Sequence, residues 1–140
     1  MISVQRLDLN DARLMLSAAQ KKAREIGVPM CIAITDDAGN LIAFERMDGG
    51  KVTSTTIAID KSFTASGAKK ATHEYGEASQ PGKPAYGIAA AIGGRLMVVG
   101  GGLPVMVDDA CVGGIGVSSG TPAQDMEVAQ AGLDAFMATL

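Results

Sequence analysis

At 140 residues the chain has the length of one domain, 1–140, with enough interior to bury a core. It is 47% hydrophobic and 19% charged, with a formal net charge of -3 and no run of Lys or Arg. Neither a basic nucleic-acid footprint nor a base-stacking platform is therefore expected, and no apolar stretch approaches the ~20 residues needed to cross a bilayer. So apolar a domain is expected to hide surface in a homo-oligomer. The first residues carry Arg6, Asp8 and Asp11 instead of the apolar core of a secretion signal, which makes the cytoplasm the expected compartment.

Leu9, Ala12, Leu16, Ala19, Ala23 and Ile26 recur at spacings of three and four and predict an amphipathic helix, capped by Asp8 or Asn10 and stopped by Gly27 and Pro29. The apolar run 28–35, a turn over 36–40 and the mixed run 41–47 read as a β-hairpin with its first strand central and its second near an edge. A second helix is expected from Thr53 to about Ala71, capped by Thr53 or Ser54. On its wheel Lys61 lies among Ile57, Ala58, Ala65 and Ala68, while Ile59 and Phe63 form a second stripe.

A breaker-rich loop, SQPGKP, precedes a short helical piece over 86–92. Residues 95–99, 103–107 and 110–117 then read as three short strands joined by a Gly-Gly-Gly turn and an Asp-Asp turn. Thr121, Pro122 and Gln124 announce the capped start of a last helix, with Met126, Ala129, Leu133, Phe136 and Met137 facing inward. Helices packed on an antiparallel sheet, an α+β domain, result.

Few residues carry recognisable chemistry. Cys31 and Cys111 each sit inside an apolar run and read as reduced core thiols, and a single histidine leaves no zinc site of the Cys/His kind. Segment 100–125 holds seven of the eighteen glycines and runs into a helix N-terminus, where unpaired amides are expected to receive an anion. Lys61 must either reach water along its stem or find a buried partner. If desolvated and facing a ligand, it would bind a carboxylate or form a Schiff base. His73 is the one imidazole, available as iron ligand or proton carrier, or simply as a cation at the carbonyl end of a helix beside Glu74. Gly100, Gly101 and Gly102 with Pro104 read either as a hairpin turn or as a place for a flat ligand to approach the backbone. Asp125 suits the positive end of the last helix. The eight methionines are read as packing.

IAIDKSFTA, THEYG, QPGKPAYGI, GGGLPVMVDD, VGGIGVSSGTPAQD and the final helix together resemble the GlcG/HbpS family of haem-binding and haem-degrading-type proteins, in particular its OrfY-type stand-alone members and the PduO C-terminal domain. The resemblance spans essentially the whole chain. It implies a profilin-like or PAS-like fold, a five-stranded antiparallel sheet flanked by helices, assembled as a dimer or octamer. The adenosyltransferase domain that precedes this module in PduO does not match any part of this sequence, so that activity is not implied. Three functions stand open. One is a pocket near Lys61, His73, Glu74, Gly100–Gly102, Pro104 and Asp125 that takes haem, with His73 on the iron, or another carboxylated small molecule. Another is a catabolic enzyme for an oxygenated carboxylate or aldehyde with Lys61 and His73 as catalytic groups. The last is an assembly module acting through its oligomer surface.

Overall fold

The structure, a computed structural model, describes all 140 residues. Helix α1 (Leu9–Ile26) starts on a reciprocal capping box, in which Asp8 accepts from the Asp11 amide and Asp11 accepts from the Asp8 amide, each at 2.9 Å. Gly27, at φ 73°, closes the helix in the left-handed conformation that glycine adopts without strain. Strands β1 (Cys31–Asp36) and β2 (Leu41–Arg46) form the hairpin, and the Asp36 carboxylate holds its turn by accepting the Ala38 and Asn40 amides. Helices α2 (Thr53–Ala68) and α3 (Thr72–Ala78) follow, separated by Lys69 at φ 54°. A 3-10 turn (Ile88–Ala90) and a kinked turn α4 (Ala91–Gly94) lead to β3 (Gly102–Val107), β4 (Ala110–Ser118) and α5 (Pro122–Met137).

The sheet has four strands, all antiparallel, in the order β2-β1-β4-β3. The expected strand over residues 95–99 does not form. Its backbone is engaged by a helix side chain instead: the Thr64 hydroxyl donates to the Arg95 carbonyl at 3.1 Å and accepts from the Met97 amide at 3.0 Å. The Gly-Gly-Gly segment likewise is no hairpin turn. It brings the chain from this α2-bound stretch back to the sheet, where the Val117 amide donates to the Gly101 carbonyl.

One face of the sheet carries α1 and α5. Ile32, Ile34, Val105, Ile115 and Val117 meet Ala12, Met15, Leu16, Ala19, Val128, Ala129 and Phe136 there in one apolar core. The other face carries α2, whose buried residues are Ser54, Ala58, Asp60, Lys61, Ser62, Thr64, Ala65 and Ser66. The expected apolar stripe on α2 is thus replaced by small and polar groups, and Ile57 and Ala68 are only half-buried. Glycine is what permits this: a Cβ on Gly114 would stand 2.8 Å from the Ser62 carbonyl oxygen, and one on Gly116 would collide with the Ala58 carbonyl and the Ser62 amide. The helix backbone therefore rests almost directly on β4. Hydroxyls satisfy the interface, with Ser62 donating to the Gly114 carbonyl at 3.1 Å and Thr35 bonded to Ser62 at 2.8 Å and to Ser66 at 3.1 Å.

Two expectations about helix ends need correction. The residue preceding α2 is Val52, which makes no side-chain cap, because Ser54 turns inward to accept from the Ser118 hydroxyl at 3.0 Å. In α5 the Thr121–Gln124 capping box and Pro122 stand as expected, but the inward residues include Asp125 and Gly132, while Met137 faces solvent.

Candidate functional site

Lys61, His73, Gly100–Gly102 and Asp125, distant in sequence, come together where α2, the start of α3, the approach to β3 and the start of α5 meet. Lys61 is 2% exposed, and its ammonium donates to the Asp125 carboxylate and to the Val117 carbonyl, each at 2.9 Å. Asp125, equally buried, accepts the Gly120 amide on its other oxygen at 2.9 Å. The lysine has found its buried partner, and the pair ties the α2 layer to the α5 layer past the end of the sheet. Gly101 makes the passage possible: a Cβ there would lie 2.9 Å from the Lys61 nitrogen and 2.8 Å from Asp125 Cβ.

The glycine-rich segment does not offer the expected anion cradle at the start of α5. Gly120 donates to Asp125, Thr121 to the Gln124 side chain, Gln124 to the Thr121 hydroxyl and Asp125 to the Thr121 carbonyl. Most of the amides at this helix start are therefore already taken by its own capping groups.

Thr72 is buried and accepts the Gly102 amide at 2.9 Å, which anchors α3 to β3. His73 therefore lies in the first turn of α3, at the amide end of a helix, and its expected role as a cation at a helix carbonyl end is not available. A Cβ on Gly100 would touch Met126 Sδ at 2.9 Å and His73 Cβ at 3.5 Å, so Gly100 separates these two side chains. Nδ1 of His73 is the one buried side-chain nitrogen or oxygen with no hydrogen-bond partner. Glu74 next to it is exposed, and Pro104 lies half-buried in β3 opposite Gly114. No three His, Cys, Asp or Glu side chains gather as a metal site. Burial pushes both the Cys31 and Cys111 thiols above their ordinary value of 9.0.

None of the four principal clefts is lined by Lys61 or His73. The one with the most apolar walls, about 400 Å³, opens nearby between α2, α3 and the stretch after α4, against Phe63, Thr64, Ala68, Tyr75, Ile92 and Leu96. Both aromatic rings carry a cation. The Arg95 guanidinium lies 3.8 Å from the centre of the Phe63 ring, and the Lys70 ammonium 5.2 Å from that of Tyr75. Arg95 also pairs with Asp60 through Nε at 2.9 Å. Sequence reasoning passed over this cleft, since Phe63, Tyr75 and Leu96 belong to three segments with no shared spacing. The signal available was an arginine directly ahead of an apolar run that follows two glycines.

No helix of the chain is long and apolar enough to cross a membrane. The family model described as "Haem degrading protein HbpS-like" matches residues 7–134. An uncharacterized 15.0 kDa protein of Citrobacter freundii, from a dhaT-dhaS intergenic region, is 39% identical over 130 residues, covering 93% of this chain and 92% of that protein. Among solved structures, the Klebsiella pneumoniae protein ORFY superposes with a TM-score of 0.96 at 39% identity, covering 99% of this chain and 95% of that one. A PduOC:Heme complex superposes with a TM-score of 0.89 at 33% identity, covering 93% and 94%. With its motifs, its antiparallel sheet and these likenesses in agreement, the chain belongs to the HbpS-like family.

Proposed function

We propose that the protein is a small-molecule binding protein that takes haem, or a flat apolar ligand of that class, in the cleft between α2, α3 and the stretch after α4. The observation that carries this reading is the cleft itself: apolar walls, two aromatic rings, and a cation beside each ring. That combination suits a flat hydrophobic body with acidic substituents. A haem complex of a 33% identical relative supports the choice of ligand.

The residues present fit the group. Tyr75, on the cleft wall, is the side chain that would reach an iron there, whereas His73, whose Nδ1 is buried with no partner, does not line the cleft. Phe63, Ala68, Ile92 and Leu96 would cover the ring and exclude water. When bound, haem would supply a redox-active iron, tuned by the residue that holds it. Lys61 and Asp125 serve this site from behind by fixing the junction from which α3 and β3 leave. Exposed Val52, Tyr86, Ile92 and Val99 support burial of further surface in a homo-oligomer, a dimer or an octamer.

Haem titration followed at the Soret band tests the reading. The wild type should bind. Leu96→Glu, which puts a charge on the cleft wall, should weaken binding at least about tenfold. Tyr75→Phe should shift the Soret band by removing the iron ligand, whereas His73→Ala, off the cleft wall, should leave it unchanged. Absence of binding by the wild type would remove the haem reading, and unchanged affinity in Leu96→Glu would move the ligand elsewhere.

A further inference from the structure

Against Phe63, a wall residue of the apolar cleft, lies a half-used arginine. Arg95 commits only Nε, to Asp60 at 2.9 Å, and its two terminal nitrogens have no hydrogen-bond or ion-pair partner in the protein. The guanidinium is steadied by one ring, and the backbone that carries it is anchored. It lies over the Phe63 ring at 3.8 Å, its own carbonyl accepts from Thr64, and the next residue, Leu96, forms part of the cleft wall. Asp60 is itself nearly buried on α2, whereas the Arg95 side chain is 43% exposed. An inner carboxylate thus orients the fork while its outer edge stays open to solvent.

We propose that Arg95 is the residue that selects ligands bearing a carboxylate, with Asp60 as its positioning residue; the inference rests on the cleft being the ligand site. Apolar walls give an ionised carboxylate no advantage and by desolvation favour its ester. A planar guanidinium with two free parallel donors reverses that preference, because it pairs bidentately with a carboxylate and leaves donors unsatisfied against an ester. Phe63 contributes by keeping the fork flat against the wall, so less order has to be created when a ligand arrives. Lys70, over Tyr75, adds a point charge without that directional geometry.

Haem and its dimethyl ester, which differ only in free and masked carboxylates, are the probes, titrated by Soret absorbance into the wild type and three variants. The wild type should bind the diacid about tenfold more tightly or better, the scale of one charge-assisted bidentate pair. Arg95→Met, which keeps the apolar stem, should bring the two affinities together by weakening the diacid alone. Arg95→Lys keeps the charge and loses the fork, and should lose most of the preference; it serves also if the Met variant fails to fold. Asp60→Asn, which keeps the shape while releasing the pair, should lower the diacid preference without weakening the ester, an effect that a loss of general stability would not produce. Equal binding of both probes by the wild type, or a preference that survives in Arg95→Met or Arg95→Lys, overturns the role of Arg95 and leaves the cleft assignment standing. If neither probe binds the wild type, the cleft reading falls and this inference falls with it.

Discussion

The two faces of the sheet are sealed by opposite means. Under α1 and α5, branched and long side chains such as Ile32, Ile34, Met15 and Phe136 interdigitate, and the helices stand a side chain's length away from the strands. Under α2 the side chains in the gap are small: Gly114 and Gly116 face Ala58, Ser62 and Ser66, Cys31 and Ala33 pack on Ala58, and hydroxyls supply hydrogen bonds where the first face supplies volume. An apolar core tolerates modest changes in shape because its cost grows with the area or volume altered. A backbone-to-backbone contact has no such slack. The Lys61–Asp125 pair joins the two constructions at their common end.

That joint is where the comparison breaks most severely. Removing one member of a buried pair strands the other charge, so Lys61→Met should cost ~3–5 kcal/mol in urea denaturation. Lys61→Met combined with Asp125→Leu should recover a large part of the loss, because no buried charge is then left alone. An equal loss in the double variant would mean that the pair acts by shape and not by charge.

A matched set of small changes sharpens the contrast between the faces. Deleting one methylene on the apolar face, Ile34→Val, should cost ~0.5–1.5 kcal/mol. Adding one methyl on the other, Gly116→Ala, should cost ~1–3 kcal/mol or more, because the obstructing atoms are helix backbone. The same denaturation measurement checks both, and a milder effect at Gly116 would show that α2 can lift from the sheet.

The smallest effect concerns the two thiols. Burial raises both above 9.0, so the native protein at pH 8 should resist thiol reagents that modify Cys31 and Cys111 rapidly in urea. A thiol raised in the folded state stabilises the fold fully below its unfolded value and ceases to do so as pH climbs through the folded one. Stability should accordingly decline as the solution passes above pH 9.0, and Cys31→Ala should flatten that decline when followed by thermal melting.

Much of this architecture could be read from the chain. Asp8, Gly27, Thr121 and Pro122 mark their helix ends by local chemistry, and the hairpin and the three-four spacing of α1 depend only on neighbours in sequence. What could not be read depends on contacts across the fold. A helix wheel looks for grease, and α2 buries serines because two glycines lie far along the chain on β4. Residues 95–99 have the composition of a strand, but Thr64 reaches their backbone first. Lys61, His73, Gly101 and Asp125 were each identifiable as unusual, and the structure brings them together, yet the pairing of Lys61 with Asp125 required the folded geometry. The cleft escaped because its walls are ordinary residues whose importance is positional.

The close seat of α2 on β4 also constrains motion. A helix separated from a sheet by long side chains can slip as those chains change rotamer, whereas one resting on carbonyls and amides has no intermediate positions to occupy. Thr53–Ala68 and the central strands therefore form a single stiff plate. If a ligand fills the cleft, the wall free to yield is the opposite one, the segment from α3 through Ile92 to Leu96, which hangs from that plate at Thr64 and Asp60 and from edge strand β3 through the Thr72–Gly102 bond.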